Sequence, residues 1–321
     1  MRLWLVLVVG ALLCVPSAAR AQAPTPSVII WQLKNPFRYF KRAEHTAAHR
    51  VEFLRLNAQE QAEPILSVER RLAAKDSLRG WADAMFEYVV DEACWYSHPK
   101  DEGGSKPKGG TSTPCGDYIL PKSHAILLTA PSIAGPCTWQ IGSQRIPTPD
   151  CRKAAPAEIP YPTGADVVLS IPGRASLATE KIVVDDLLVI GLGDSIGAGE
   201  GNADRPVSFK QRRTMDYDRD LSGYPQRDGL KRDATYKDAA FANKAAGWVH
   251  RTCHRSLYSH QLRVALQLAL EDPAQHRSVT FVGLACTGAT ILDLFNVYNG
   301  RKEKLSSAES HIRGASSSFP S

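Results

Sequence analysis

Residues 187–202 read LLVIGLGDSIGAGEGN, and the fold turns on how this stretch behaves. Leu187, Leu188, Val189 and Ile190 follow one another without a break, and Leu192 comes after a single glycine. Such a run predicts a strand buried on both faces, as a parallel sheet requires. It leads straight into Gly193, Asp194 and Ser195, and glycines recur at 197, 199 and 201. The backbone beyond the serine can therefore turn sharply and admit a close neighbour. A small hydroxyl at the carboxyl end of a buried strand stands where open α/β sheets bind ligands, which makes Ser195 the candidate nucleophile. Gly-Asp-Ser alone is as well suited to a turn or a helix N-cap; its place after a strand, and a matching turn downstream, favour chemistry.

Downstream, Ser256 or Ser259 can cap a helix that continues to Glu271, with Leu262, Ala265, Leu266 and Ala269 on one face and Asp272-Pro273 ending it. Val279–Leu284 is a second apolar strand. Strand, helix and strand in this order predict a βαβ unit. Its second strand ends in Ala285-Cys286-Thr287-Gly288-Ala289-Thr290, at the same sheet edge as Ser195. Between the two strands, Asp204–Asp238 is dense in charge of both signs and is expected to be a solvated excursion beside the site.

Upstream the texture differs. Ser27–Leu33 predicts a strand broken by Asn35-Pro36; Thr46–Arg71 predicts helix in pieces, interrupted at Pro64; Ser77–Trp95 carries an apolar stripe at helical spacing. Lys100–Pro114 has the composition of an exposed loop. Short apolar runs at 125–130, 137–142, 165–171 and 181–186, closely punctuated by Pro and Gly, predict a small antiparallel sandwich.

The chain of 321 residues, 43% hydrophobic, has room for two domains with real cores. It starts with Arg2, an apolar run over Leu3–Val15, and Ala19-Arg20-Ala21, the pattern of a signal peptide cleaved before Gln22. The run is too short for a membrane anchor, so the expected location is secreted or periplasmic, with no transmembrane anchor after signal removal. Cys14 leaves with the signal. Of the seven cysteines, Cys94, Cys115, Cys137, Cys151, Cys253 and Cys286 remain, an even set that an exported chain uses for disulfides. Order in the chain pairs Cys94 with Cys115, Cys137 with Cys151, and Cys253 with Cys286, among the many connectivities that six allow. None has Cys-x-x-Cys spacing, and no metal site is expected. The net charge of +6 comes from basic residues interleaved with acids, which gives no indication of a nucleic-acid partner.

A serine hydroxyl needs a base to take its proton and donors to hold the developing oxyanion. The backbone amides of Ser195 and Gly288 suit the second role. Here the sequence resembles the SGNH, or GDSL, hydrolases, in particular their secreted bacterial esterases and lipases, over about residues 185–294. Gly193-Asp194-Ser195 after an apolar strand matches the family's first block, with Ser195 as nucleophile, and Gly288 in ACTGAT matches the oxyanion-hole glycine of the second. The resemblance also implies a disulfide from Cys253 to Cys286 tying the two blocks. Gly193-Asp194-Ser195-Ile196-Gly197 satisfies the G-x-S-x-G elbow of α/β-hydrolases too, but no glycine-rich oxyanion loop precedes it.

The resemblance stops short of a full triad. Asn296 and Asn299 lie in FNVYNG, outside the Gly-x-Asn-Asp pattern of the third block, and the Asp-x-x-His of the fifth is absent; its nearest approach, Ala308-Glu309-Ser310-His311, has alanine in the acid's place and its histidine comes much too early in the fold. His250, His254 and His260 are near the first block in sequence, but a helix N-terminus rich in Arg and His reads as structural or solvent-exposed. The fold expected is thus α/β: a partial doubly wound, flavodoxin-like parallel sheet, the amino-terminal portion of an SGNH hydrolase domain over 185–300, preceded by a mixed helical and β-rich accessory domain over 22–184 and followed by a polar tail over 301–321. The function expected is ester hydrolysis without a cofactor, on lipid or acylated carbohydrate esters, by a site completed beyond residue 321. The alternative is a non-catalytic cell-envelope or carbohydrate-binding protein with a vestigial hydrolase domain.

Overall fold

Alternation of apolar and polar residues shapes the first of two cores. The computed structural model describes residues 27–75, 80–90, 94, 117–205, 246–250 and 253–289. Strands β1 (Ile30–Leu33), β2 (Ser123–Thr129), β3 (Cys137–Ile141), β4 (Gln144–Thr148), β5 (Ala155–Pro160), β6 (Ala165–Ile171) and β7 (Arg174–Ile182) build two antiparallel sheets, ordered β1-β2-β5 and β4-β3-β6-β7. Every second residue points inward: Ile126 and Leu128 from β2, Trp139 from β3, Ile159 from β5 and Leu169 from β6 are all fully buried in one cluster. The expected sandwich is there. It also includes β4 and β5, which the sequence did not announce because each contains proline, and most of β7; the run expected at 181–186 is divided between the end of β7 and the start of the next strand. Strands β4 and β5 are both edge strands, where a missing N–H costs the ladder least.

The second core is built on β8 (Asp185–Gly191) and β9 (Arg277–Gly283), which run parallel with Leu187 opposite Val279 and Gly191 opposite Gly283. Between them lie a one-turn helix, α4 (Ser195–Ala198), and the crossover helix α5 (His260–Leu270). The Ser259 hydroxyl caps α5 by accepting from Leu262 N–H, and Leu262, Ala265, Leu266 and Ala269 are buried as their spacing predicts. Asp272 then takes the N–H groups of Ala274, His276 and Arg277 and turns the chain into β9.

The doubly wound, flavodoxin-like sheet expected from the sequence is not formed. Most strands of the described chain are antiparallel, because links as short as Gly142–Ser143 and Pro172–Gly173 fold a strand back beside its predecessor; β8–β9 is one short parallel pair. What continues the sheet beside β9 comes from upstream. Arg38 N–H donates to the Val279 carbonyl and Val279 N–H to that of Pro36, which sets Phe37 parallel to β9. Phe40 pairs in turn with Val89. Helices α1 (Ala43–Phe53), α2 (Pro64–Ala73) and α3 (Trp81–Met85) pack on the same side, so Phe37, Phe40 and Trp81 share a cluster with Leu262, Leu266 and Phe281.

Two local expectations change as well. Pro64 starts α2 at its first turn, where its fixed φ fits and no N–H is needed. The helix expected over Ser77–Trp95 is described only as α3 and a 3-10 turn through Tyr88, since Val89 is extended and committed to Phe40.

Candidate active site

The turn after β8 is shaped by its own side chains. Asp194 is the N-cap of α4: its carboxylate accepts from Ile196 N–H at 2.9 Å and Gly197 N–H at 3.5 Å. Ser195 is therefore the first residue of that helix, half-buried, while Ile196 is 76% exposed. The helix closes at Gly199, whose φ of +81° is left-handed. A Cβ there would lie 2.9 Å from Ser259 Cα, so α4 sits directly on the cap of α5.

The second turn is fastened to the first. Leu284 and Ala285 N–H donate to the Gly191 carbonyl at 2.7 and 3.1 Å, and Cys286 N–H to that of Gly193 at 3.0 Å. Cys253 and Cys286 form a disulfide, and Thr287 N–H donates to the Cys253 carbonyl. Gly288 follows with a φ of +78°, exposed. Among the described residues, neither the N–H of Ser195 nor that of Gly288 has an acceptor, and the Ser195 hydroxyl has no hydrogen bond.

Around this joint lies a polar cluster that the sequence did not single out. Glu200 Oε1 is 3.2 Å from His254 Nδ1, and the Thr287 hydroxyl is 3.0 Å from Glu200 Oε2. The His254 ring stacks on Trp248, whose indole N–H donates to the Glu200 carbonyl. Burial pulls His254 below the usual imidazole range, with Glu200 acting the other way. Asp204, placed by charge density in a solvated excursion, is fully buried and accepts from Val249 N–H, Leu257 N–H and the Ser256 hydroxyl. Burial pushes its carboxyl up to about 7 against the pull of those bonds. Glu200 stands inside the glycine-rich stretch itself, and an acid at that place was the available signal; Asp204 had none, because its partners, two backbone N–H groups and the Ser256 hydroxyl, are more than forty residues away.

The remaining histidines are placed elsewhere. His250 Nδ1 accepts from Cys253 N–H, and His260 is exposed at the start of α5. A buried pair, His124 Nε2 to Asp186 Oδ2 at 3.4 Å, ties β2 to β8. It lies near the other end of β8, roughly 17 Å along the strand from Gly191, and cannot serve Ser195. Asn296, Asn299, His311 and Cys115 lie outside the described residues. Cys94 is disulfide-bonded, and Cys137 is bonded to Cys151 as expected. Among the described residues there is no group of three His, Cys, Asp or Glu that could hold a metal ion, and no helix is long and apolar enough to cross a membrane.

A cavity of about 340 Å³ adjoins α4, with Gly197 and Ala198 in its wall. Compared with family models, curated proteins and solved structures, the chain matches none.

Proposed function

We propose that this chain carries the nucleophile and oxyanion elements of an exported serine ester hydrolase of SGNH type. Ser195 is the nucleophile, and the N–H groups of Ser195 and Gly288 hold the oxyanion of the tetrahedral intermediate. The observation that carries this reading is the pair of acceptor-free N–H groups on two turns locked together by the Gly193–Cys286 hydrogen bond and the Cys253–Cys286 disulfide. Donors held rigidly where negative charge develops supply the largest single share of such catalysis. Export rests on the signal-like segment before Gln22 and on the disulfides. The substrates are esters with lipid or acylated carbohydrate portions.

Attack by Ser195 requires a base, and among the described residues no histidine is hydrogen-bonded to the Ser195 hydroxyl. We place the base outside the described residues. The second reading, a binding protein with a vestigial site, gains from the same lack of a base bonded to Ser195 among the described residues. Labelling of residues 22–321 with a fluorophosphonate, with Ser195→Ala as control, separates these readings. Labelling that vanishes in the variant supports an activated Ser195; a folded protein that takes no label shows that residues 22–321 do not by themselves activate Ser195, and repeating the test on a longer chain then decides between the two readings.

A further inference from the structure

Gly191 and Gly197 flank the Ser195 turn, yet neither has the left-handed φ that would itself demand glycine. What both lack is room for a side chain. A Cβ on Gly191 would run into Gln261 Oε1 and lie 3.0 Å from its Cδ, and one on Gly197 would lie 3.0 Å from Gln261 Nε2 and 3.1 Å from Ala285 Cβ. Gln261 is the second residue of α5. Helical side chains lean towards the amino terminus, and this one reaches from the first turn of α5 to the end of β8, where its carboxamide fills the space that the two glycines leave.

The same carboxamide completes the hydrogen bonding of the turn. Neighbouring carbonyls of an extended chain point to opposite sides. Those of Gly191 and Gly193 accept from the N–H groups of Leu284, Ala285 and Cys286 after β9, whereas that of Leu192, between them, accepts from Gln261 Nε2 and, among the described residues, from no other group. Ser195 thus lies between two points held by one side chain: the Leu192 carbonyl by a hydrogen bond, and Gly197 by packing.

We propose that Gln261 is the positioning residue of the Ser195 turn: its carboxamide holds α4 against the end of β8 and so fixes where the Ser195 hydroxyl stands. It acts through Leu192 and Gly197. The hold on the turn follows from these contacts alone; its effect on catalysis rests on the reading of Ser195 as nucleophile.

Two measurements on Gln261→Ala test this. Amide exchange of Ala198 and Gly199, whose N–H groups donate to the Asp194 and Ser195 carbonyls, should quicken about tenfold, the factor that loss of one hydrogen bond implies, while exchange in the second half of α5 stays as in the parent. The limiting rate of fluorophosphonate labelling should fall by a similar factor at an unchanged half-saturating concentration, a split that a general loss of stability does not produce. Gly191→Ala displaces the same carboxamide, so it should reproduce both changes, and the double variant should be no worse than the worse single one. Unchanged exchange at Ala198 and Gly199 in folded Gln261→Ala, or additive effects of the two substitutions, overturns the proposal, as does unchanged labelling where the parent takes label. Quickened exchange in a protein that takes no label at any chain length keeps the hold of Gln261 on the turn and removes only the hydrolase reading.

Discussion

The N–H of Cys286 donates to the carbonyl of Gly193 over 3.0 Å, joining the residue two before Ser195 to the residue two before Gly288. Two turns that lie far apart in the chain thereby become one rigid corner, reinforced by the Cys253–Cys286 disulfide. The relative position of Ser195 and Gly288 depends on that corner.

Opening the disulfide should loosen it. For the 33-residue separation, loop-closure entropy gives a loss of about 3–4 kcal/mol in Cys253→Ser or Cys286→Ser. Urea unfolding of each variant against the parent checks this, and fluorophosphonate labelling of Ser195 should slow in parallel. Unchanged unfolding midpoints would show that the backbone bonds hold the corner by themselves.

Glu200 should act on the site through its partners. Glu200→Gln weakens the contacts to His254 and Thr287 and should cost about 1.5–3 kcal/mol, the range for a hydrogen bond to a charged group. Because Thr287 precedes Gly288, the labelling rate should fall too. Thr287→Val should do the same, and the double variant should fall short of the sum, as it does for residues sharing one contact. Strict additivity would place the two side chains in separate roles.

Asp204 makes stability depend on pH with a definite sign. Its folded-state carboxyl is raised from 3.8 to about 7, so the native state holds the proton more tightly than the unfolded chain does. The stabilisation is complete below about pH 4 and disappears as pH rises through 7. It is on the order of 2–4 kcal/mol. Urea midpoints measured from pH 4 to 8 should fall with rising pH more steeply in the parent than in Asp204→Asn. Equal slopes would mean that Val249, Leu257 and Ser256 hold the ionised form as well as water does.

Gly199→Ala should damage α4. The left-handed φ and the 2.9 Å approach to Ser259 Cα leave no room for a methyl group, and the conformation alone costs about 1–3 kcal/mol outside glycine. Loss of thermal stability is expected, together with slower labelling of Ser195, four residues away in the chain. A variant as stable as the parent would show that α4 can lift off the α5 cap freely.

Legibility followed the range of the interaction. The stripe Leu262, Ala265, Leu266 and Ala269 and the apolar run at Leu187–Ile190 are signals within about ten residues; the stripe is buried as expected, whereas the run forms a strand that is not buried on both faces, with Leu187–Val189 half-buried and Ile190 and Leu192 exposed. Asp194 and Ser195 show both sides of an ambiguity: the aspartate is indeed an N-cap, and the serine beside it still has an uncommitted hydroxyl among the described residues. The strands at Gln144–Thr148 and Ala155–Pro160 escaped because their prolines contradict β propensity, which an edge position tolerates.

By itself, then, the sequence determined the parallel β8–β9 pair with its α5 crossover and the sandwich before it, since local runs and periodicity express them; it supplied an even set of cysteines, and the structure decided their pairing. Only the tertiary structure decided what lies beside β9, what buries Asp204 and what touches Glu200. Phe37 meets Val279 and Trp31 stacks on His276 across more than two hundred residues. Contacts at that separation carry no periodic signature. They depend on which sheet edges and apolar faces remain open once the local elements have formed, and on a loop-closure cost that grows only slowly with length.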